Sequence, residues 1–406
     1  MSDRIQQGVF FRPGEQPPRH FAIVFLRVQA GAGTDKVKDV LLRLVFLYRE
    51  LQAGHVPDLA PRTVPAGDLV FLIGYGPRMF SVQGVTKAIP EPLGTGRFPA
   101  AVAGAPILLG AGIRYAPNLT DNPADADIVV QFHASTPLAV TRAVVETWKV
   151  LFDVERATGT TALRISQSYS GFSREDGRSW IDFHDGLSNL RSSERLKAIE
   201  IKRRALPHPD QWTEEGTYMV FLRLPLNLRT WRSAPRAAQE VIVGREKLGG
   251  CPLTGLDPSG GPIVAEGCPV NGTGEVFEPG NEDFREAQRP EGPLTMSHIH
   301  RANHKRENVV DPESRRIFRQ GYEFFQGADA AGDMSVGLNF VSFQDHPART
   351  TFMLKQPGWL GRTNFGGDPN NQPPGFNELL RVDAAGVFVV PPRDNHPDFP
   401  GAELFS

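Results

Sequence analysis

Ile23-Val-Phe-Leu-Arg-Val28 returns half a chain later as Met219-Val-Phe-Leu-Arg-Leu224, and this echo decides the fold class. Both runs are nearly continuous in apolar, β-prone side chains, the pattern of strands covered on both faces. A second echo pairs Ile128-Val-Val-Gln-Phe-His133 with Leu338-Asn-Phe-Val-Ser-Phe343. After each copy a helix start with an early proline follows within a few residues, at Thr136-Pro137 and at Asp345-His346-Pro347. Proline is tolerated there because its missing N–H would be unpaired in the first turn anyway. Val140, Val144, Trp148, Leu151 and Phe152 keep helical spacing after Thr136, as do Val37, Val40, Leu41, Leu44, Leu47 and Tyr48 after the cap candidate Thr34. Each helix should lay its apolar face on a sheet. Strand, helix, strand, strand, helix, strand, twice over, predicts an α+β protein of two ferredoxin-like domains.

The expected boundaries are 1–200 for the first domain, 201–214 for a polar linker carrying Pro207, His208 and Pro209, and 215–406 for the second. Within the second, 249–293 is dense in Gly and Pro with little periodicity and reads as a surface excursion. Length agrees, since 406 residues exceed the roughly 250–300 at which a single core stops growing. The 41 glycines and 35 prolines demand many turns and argue against a helical bundle or coiled coil. With 44 Lys and Arg against 46 Asp and Glu, the net charge of −2 gives no reason to expect a surface for nucleic acid or an anionic membrane. No apolar run approaches the roughly 18–20 residues of a membrane span. Met1-Ser-Asp-Arg-Ile-Gln-Gln carries neither an apolar signal core nor a twin-arginine pair, so the chain reads as cytoplasmic. Cys251 and Cys268 lack metal-binding spacing and read as two free thiols, with a loop-closing disulfide as the alternative.

Common cofactor signatures are missing. Gly31-Ala-Gly33 and Gly74-Tyr-Gly76 lack the third glycine of a dinucleotide fingerprint, and there is no phosphate-binding Gly-Lys-Ser/Thr and no Gly-x-Ser-x-Gly elbow. The histidines are uneven instead: His298, His300 and His304 fall within seven residues. His300 and His304 would share a helical face and His298 and His300 a strand face, so one conformation does not aim all three at one ion. A non-haem metal hydrolase built on the three is therefore a remote reading. One histidine suffices for the axial position of a haem, and His298, at the inner end of a less polar stretch, is the candidate.

Ser297-His298-Ile299-His300-Arg301-Ala302-Asn303, followed by Ile317-Phe318-Arg319-Gln320-Gly321-Tyr322, resembles the proximal-histidine and distal-arginine region of dye-decolourising peroxidases. Phe183-His-Asp-Gly-Leu-Ser-Asn189 resembles the loop of that family's GxxDG motif, with Asp182 in place of its first glycine. Ile73-Gly-Tyr-Gly-Pro-Arg-Met-Phe80, Val243-Gly-Arg-Glu-Lys-Leu-Gly-Gly250 and Gly337-Leu-Asn-Phe-Val-Ser-Phe-Gln344 resemble three further segments, in the family's order along the chain. The resemblance implies two ferredoxin-like halves of the dimeric α/β-barrel type with one haem b per chain against the C-terminal half. It implies His298 as axial iron ligand, Asp185 as the acid–base relay for hydrogen peroxide and Arg319 as the cation that stabilises charge on the leaving oxygen. Arg245 and Lys305 become propionate partners, and Leu338 and Phe340 an apolar lid over the distal side. Where some relatives carry a distal Asn, this chain has Gly321.

The implied activity is a haem peroxidase that oxidises organic donors, dyes and phenolic compounds among them, in one-electron steps, with an acidic pH optimum because a carboxylate is the relay. A haem carrier or sensor without turnover is the competing reading. Trp148, Trp180, Trp212, Trp231, Trp359, Tyr169 and Tyr322 are candidates for surface electron transfer. Asp345 is one candidate to orient the axial histidine. A homo-oligomer is left open.

Overall fold

The computed structural model describes residues 4–9, 11, 17–93, 109–110, 112–116, 124–186, 190, 192–265, 292–302, 316–355, 360–393 and 396–405. Its strands are β1 (His20–Val28), β2 (Val70–Tyr75), β3 (Arg114–Tyr115), β4 (Ile128–Ala134), β5 (Leu163–Phe172), β6 (Thr217–Leu226), β7 (Leu253–Leu256), β8 (Pro262–Val264), β9 (Phe318–Ala328), β10 (Met334–Gln344), β11 (Arg381–Val382) and β12 (Ala384–Val390). The α-helices are α1 (Thr34–Gln52), α2 (Pro137–Thr158), α3 (Ser192–Ile199), α4 (Leu228–Ser233), α5 (Arg236–Val243), α6 (His298–Ala302) and α7 (Ala348–Lys355). No described helix is long and apolar enough to cross a membrane.

Eight strands close into one barrel in the order β1-β4-β2-β12-β6-β10-β9-β5. The first half contributes β5-β1-β4-β2 and the second β12-β6-β10-β9, so each half places its fourth strand, first, third and second in that spatial order. The two echoes are therefore structural equivalents: β1 and β6 are the inner first strands, β4 and β10 the third strands beside them. The seams are narrow, recorded as Tyr75 opposite Val389 and Phe172 opposite Glu323. Every other barrel pairing is a longer antiparallel ladder, such as Val336 to Gln344 of β10 against Leu226 to Tyr218 of β6.

Closure explains the unbroken apolar runs. Phe21, Ile23 and Phe25 point into the barrel with Met219, Phe221, Val341, Phe343 and Phe388, while Ala22, Val24 and Leu26 face outward into the helical layer. A strand buried on both faces has no polar face to alternate with. In the N-terminal half α1 and α2 cover the outside, with Val37, Val40, Leu41, Leu44, Leu47 and Tyr48 all buried as their spacing predicts. Thr136 caps α2, its hydroxyl accepting from the Ala139 N–H, with Pro137 in the first turn. The outer face of α2 leaves Trp148 and Phe152 exposed and stacked on each other rather than in the core. Among the described residues of the second half no long helix covers the outer face of β6, β9 and β10, and a cavity forms there.

Two expectations change. Part of the stretch read as an irregular excursion is the hairpin of β7 and β8, while residues 266–291 lie outside the described region. Cys251 is disulfide-bonded, against the expectation of free thiols. Cys268, the chain's one other cysteine, lies outside the described residues.

Candidate active site

Antiparallel register fixes which side chains share the cavity. On β9 and β10, Glu323 is opposite Leu338, Gly321 opposite Phe340 and Arg319 opposite Ser342, and directly opposed residues point to the same face. Arg319, Gly321 and Glu323 thus form one outward row, and the intervening Phe318, Gln320 and Tyr322 turn away from it. The row borders a cavity of about 250 Å³ whose apolar walls include Leu222, Leu224, Leu338, Phe340, Met353 and Leu360. His298, Asp185, Arg245 and Arg316 also line it. The structure therefore gathers His298, Asp185, Arg319, Arg245, Leu338 and Phe340 around one space. Lys305 and His304 lie outside the described residues, as does Trp359.

His298 opens the short helix α6. Its Nδ1 lies 2.6 Å from the Phe365 carbonyl oxygen, and since a carbonyl only accepts, Nδ1 carries the hydrogen. Nε2 is left with its lone pair, the tautomer a metal-binding imidazole needs. Burial holds the His298 pKa down to about 4, the Arg319 charge pushes the same way, and the Phe365 bond and Asp185 oppose it. The ring is therefore neutral at ordinary pH. Asp345, one candidate for the orienting group, is instead paired with Arg349, Oδ1 to Nε at 2.6 Å. Among the described residues no three His, Cys, Asp or Glu side chains gather as a metal set.

Asp185 sits on the loop after β5. Its carboxylate is 3.5 Å from Arg319 Nη2, and its Oδ1 accepts from the Gly186 N–H at 2.7 Å. Gly321 makes room for this pair: a Cβ there would lie 3.1 Å from Leu338 Cδ1 and 3.2 Å from Asp185 Oδ2. The residue found where some relatives carry a distal Asn is thus the gap into which Asp185 reaches. Asp182, standing in for the motif's first glycine, keeps a left-handed backbone at φ 65°. Aspartate tolerates that region better than most residues, and Arg178 Nη1 bonds its carbonyl at 2.7 Å. The left-handed turn is thus made here without glycine.

Arg245 is buried and donates Nη1 to the Gly250 carbonyl at 2.7 Å while bordering the cavity. Arg316, buried and 3.9 Å from Glu194, also reaches the cavity and was not singled out by sequence. Neither was Glu323, although its two-residue spacing from Gly321 was a readable signal. Trp180 borders the cavity and donates Nε1 to the Phe324 carbonyl at 2.9 Å. Tyr322, by contrast, is inside the barrel, its hydroxyl 2.9 Å from His133 Nδ1. A neutral imidazole with a free Nε2, an apolar wall and buried arginines at the border suit a haem with its propionates.

Residues 176–395 match the C-terminal profile of Dyp-type peroxidases, more than half of the chain. This chain belongs to the Dyp-type peroxidase family. The family is haem-dependent, in keeping with the donor set just described. The chain is 28% identical over 275 residues to the dye-decolorizing peroxidase of Thermobifida fusca, covering 65% of this chain and 54% of that protein. It is 27% identical over 179 residues to the deferrochelatase of Escherichia coli K12, covering 43% and 36%. The alignments thus span about half, or less, of these curated relatives. Among solved structures, ferric DtpA from Streptomyces lividans superposes with a TM-score of 0.69 at 22% identity, covering 99% of this chain and 95% of that one. A DyP-type peroxidase from Cellulomonas bogoriensis gives 0.69 at 20% identity, covering 100% and 96%. The fold extends over the whole chain.

Proposed function

We propose that this member of the family binds one haem b per chain through His298 and reduces hydrogen peroxide, oxidising organic donors such as dyes and phenolic compounds by one-electron steps. The observation that carries this reading is the position of Asp185 beside Arg319 on the cavity that His298 borders. Bound haem would supply an iron with a position open to peroxide and the capacity to exchange single electrons. The residues supply the rest. His298 offers neutral Nε2 to the metal. Asp185, facing a guanidinium at 3.5 Å, accepts a proton from one peroxide oxygen and returns it to the other. Arg319 stays cationic throughout and stabilises the charge that builds as the O–O bond breaks, a contribution of about 3 kcal/mol in a dry pocket. Leu338 and Phe340 keep bulk water from that side, and Arg245 and Lys305 are the candidate propionate partners. Bulky donors deliver their electrons from the surface rather than entering the cavity.

Absorption spectroscopy of the purified protein reconstituted with haem tests the reading. A Soret band that changes within the mixing time of peroxide is expected. A Soret band that stays unchanged would instead establish the carrier or sensor reading, and no Soret band would remove both.

A further inference from the structure

Outside the Asp185 and Arg319 pair, one acidic side chain of the cavity is unused by the mechanism above. Glu323 continues the row of Arg319 and Gly321 on β9, is only 6% exposed, and borders the cavity. It also occupies the barrel seam, opposite Phe172 of β5 and Leu338 of β10, neither of which offers a charge. The groups acting on it are Asp185, Arg174 and the Trp180 backbone N–H, all from the loop after β5; Arg319 is the further cation on its own strand. Two carboxyl groups therefore border one cavity in unequal surroundings. Asp185 is 44% exposed with a guanidinium at 3.5 Å, while Glu323 is enclosed.

Reducing one hydrogen peroxide to two waters consumes two electrons and two protons. The donor supplies the electrons. The Asp185 relay moves a proton between the two oxygens and returns to its starting state, so it supplies none of the two. We propose that Glu323 is the proton-donating acid of this cavity, releasing a proton inward as peroxide oxygen is converted to water. At each release the Glu323 O–H bond breaks and a water O–H bond forms, and the carboxylate is reprotonated from solvent after each of the two releases, so that solvent is the source of both protons. This assignment rests on the peroxidase reading.

The physical chemistry agrees with the geometry. Burial, with the Asp185 charge adding to it, pushes the Glu323 carboxyl up to about 8, against the weaker pull of the Trp180 N–H and Arg174. A pair of carboxyls with environments that separate their protonation is how one site holds both an acid and a base near neutrality.

Infrared spectroscopy of the haem-free and haem-loaded protein tests the protonation. A protonated-carboxyl carbonyl band that titrates near pH 8 and disappears in Glu323→Gln is expected. A spectrum with no such band, or one in which Glu323→Gln retains it, overturns the proposal. Glu323→Gln should bind haem with a normal Soret band and react with peroxide at the wild-type rate, yet turn over roughly tenfold more slowly with donor. Turnover of the wild type should fall as pH rises through 8, and Glu323→Gln should lack that fall. Glu323→Asp, which keeps an acid, should recover part of both. Wild-type turnover and pH profile in Glu323→Gln would overturn the donor role. A wild type that never reacts with peroxide would be recognised before any variant is made, and would remove the peroxidase reading and the donor role together while leaving the infrared titration standing.

Discussion

His298 and Phe365 are joined twice: imidazole Nδ1 donates to the Phe365 carbonyl at 2.6 Å, and the two rings stack at 4.2 Å with 13° between their planes. The hydrogen bond sets the tautomer and the stack sets the ring plane, so Nε2 is aimed before any metal arrives. The acceptor is a neutral carbonyl, which raises the basicity of the ring less than a carboxylate would. Gly366 allows the approach, since a Cβ there would lie 2.6 Å from the His298 backbone nitrogen.

Gly366→Ala should therefore push the loop off His298 and weaken haem binding by about tenfold, the scale of lost orienting contacts around a metal ligand. His298→Ala should abolish axial ligation altogether. Titration of the haem-free proteins with haem, followed at the Soret band, measures both. Wild-type affinity in Gly366→Ala would mean that the carbonyl contact does not position the ring.

Asp185→Ala and Arg319→Leu should retain haem and slow the reaction with peroxide by on the order of 100-fold each. Because the two side chains face each other at 3.5 Å, their effects should not add, and the double variant should fall short of the product of the singles. Stopped-flow rates at several peroxide concentrations give the comparison. An Arg319→Leu protein that reacts at the wild-type rate would remove the guanidinium from the mechanism.

Acid should destabilise the haem-free fold through its buried histidines. The His298 pKa is held at about 4 and that of His133, enclosed in the barrel, at about 3, both by burial, against 6.5 for an ordinary histidine. The native state then binds fewer protons than the unfolded state between those values, so stability rises with pH across that window. The contribution is complete above 6.5 and is lost as pH falls toward 4 and then 3. Urea unfolding of haem-free protein from pH 7 to pH 4 should show the decline, with a shallower slope in His298→Gln. Glu323 acts in the opposite sense. Its carboxyl lies above the ordinary value of 4.5, so the native state binds more protons and this contribution is lost as pH rises toward 8.

The fold was legible because closure of the barrel leaves a trace in the chain. Strands such as β1 and β6, packed inside and outside at once, must be apolar at nearly every position, and two such runs half a chain apart expose the duplication. The sequence singles out His298, Asp185 and Arg319 by residue type and motif, and the structure brings the three to one cavity. Phe365 acts through its carbonyl, which every residue possesses, so no residue type could have announced it. Glu323 differs: its place in the row with Arg319 and Gly321 follows from strand alternation alone. Cys251 was misread because two cysteines without metal spacing do not reveal their distance in space.

Asp182 offers the sharpest comparison between the family pattern and this chain. Its φ of 65° is the conformation for which glycine is favoured, and the backbone there sets the path to Asp185 three residues on. Asp182 N–H donates to the Ser179 carbonyl at 2.8 Å, Ser179 N–H to the Phe183 carbonyl at 3.0 Å, and Asp185 N–H to the Gly177 carbonyl at 2.9 Å, so the loop is tied on both sides of the strained residue. The carboxylate is 3.7 Å from both Arg174 and Lys247, too far and too exposed to contribute much. Asp182→Gly should consequently keep the loop and change stability by less than about 1 kcal/mol, the relieved strain being offset by the freer unfolded chain. Asp182→Val, β-branched and poorly suited to positive φ, should cost about 2 kcal/mol and shift Asp185 relative to Arg319. Thermal unfolding and the rate of reaction with peroxide should therefore move together in the valine variant and stay near wild type in the glycine variant. A valine variant with unchanged stability would show that the loop can turn another way, and Asp185 would then owe its position to Arg319 and the Gly321 gap alone.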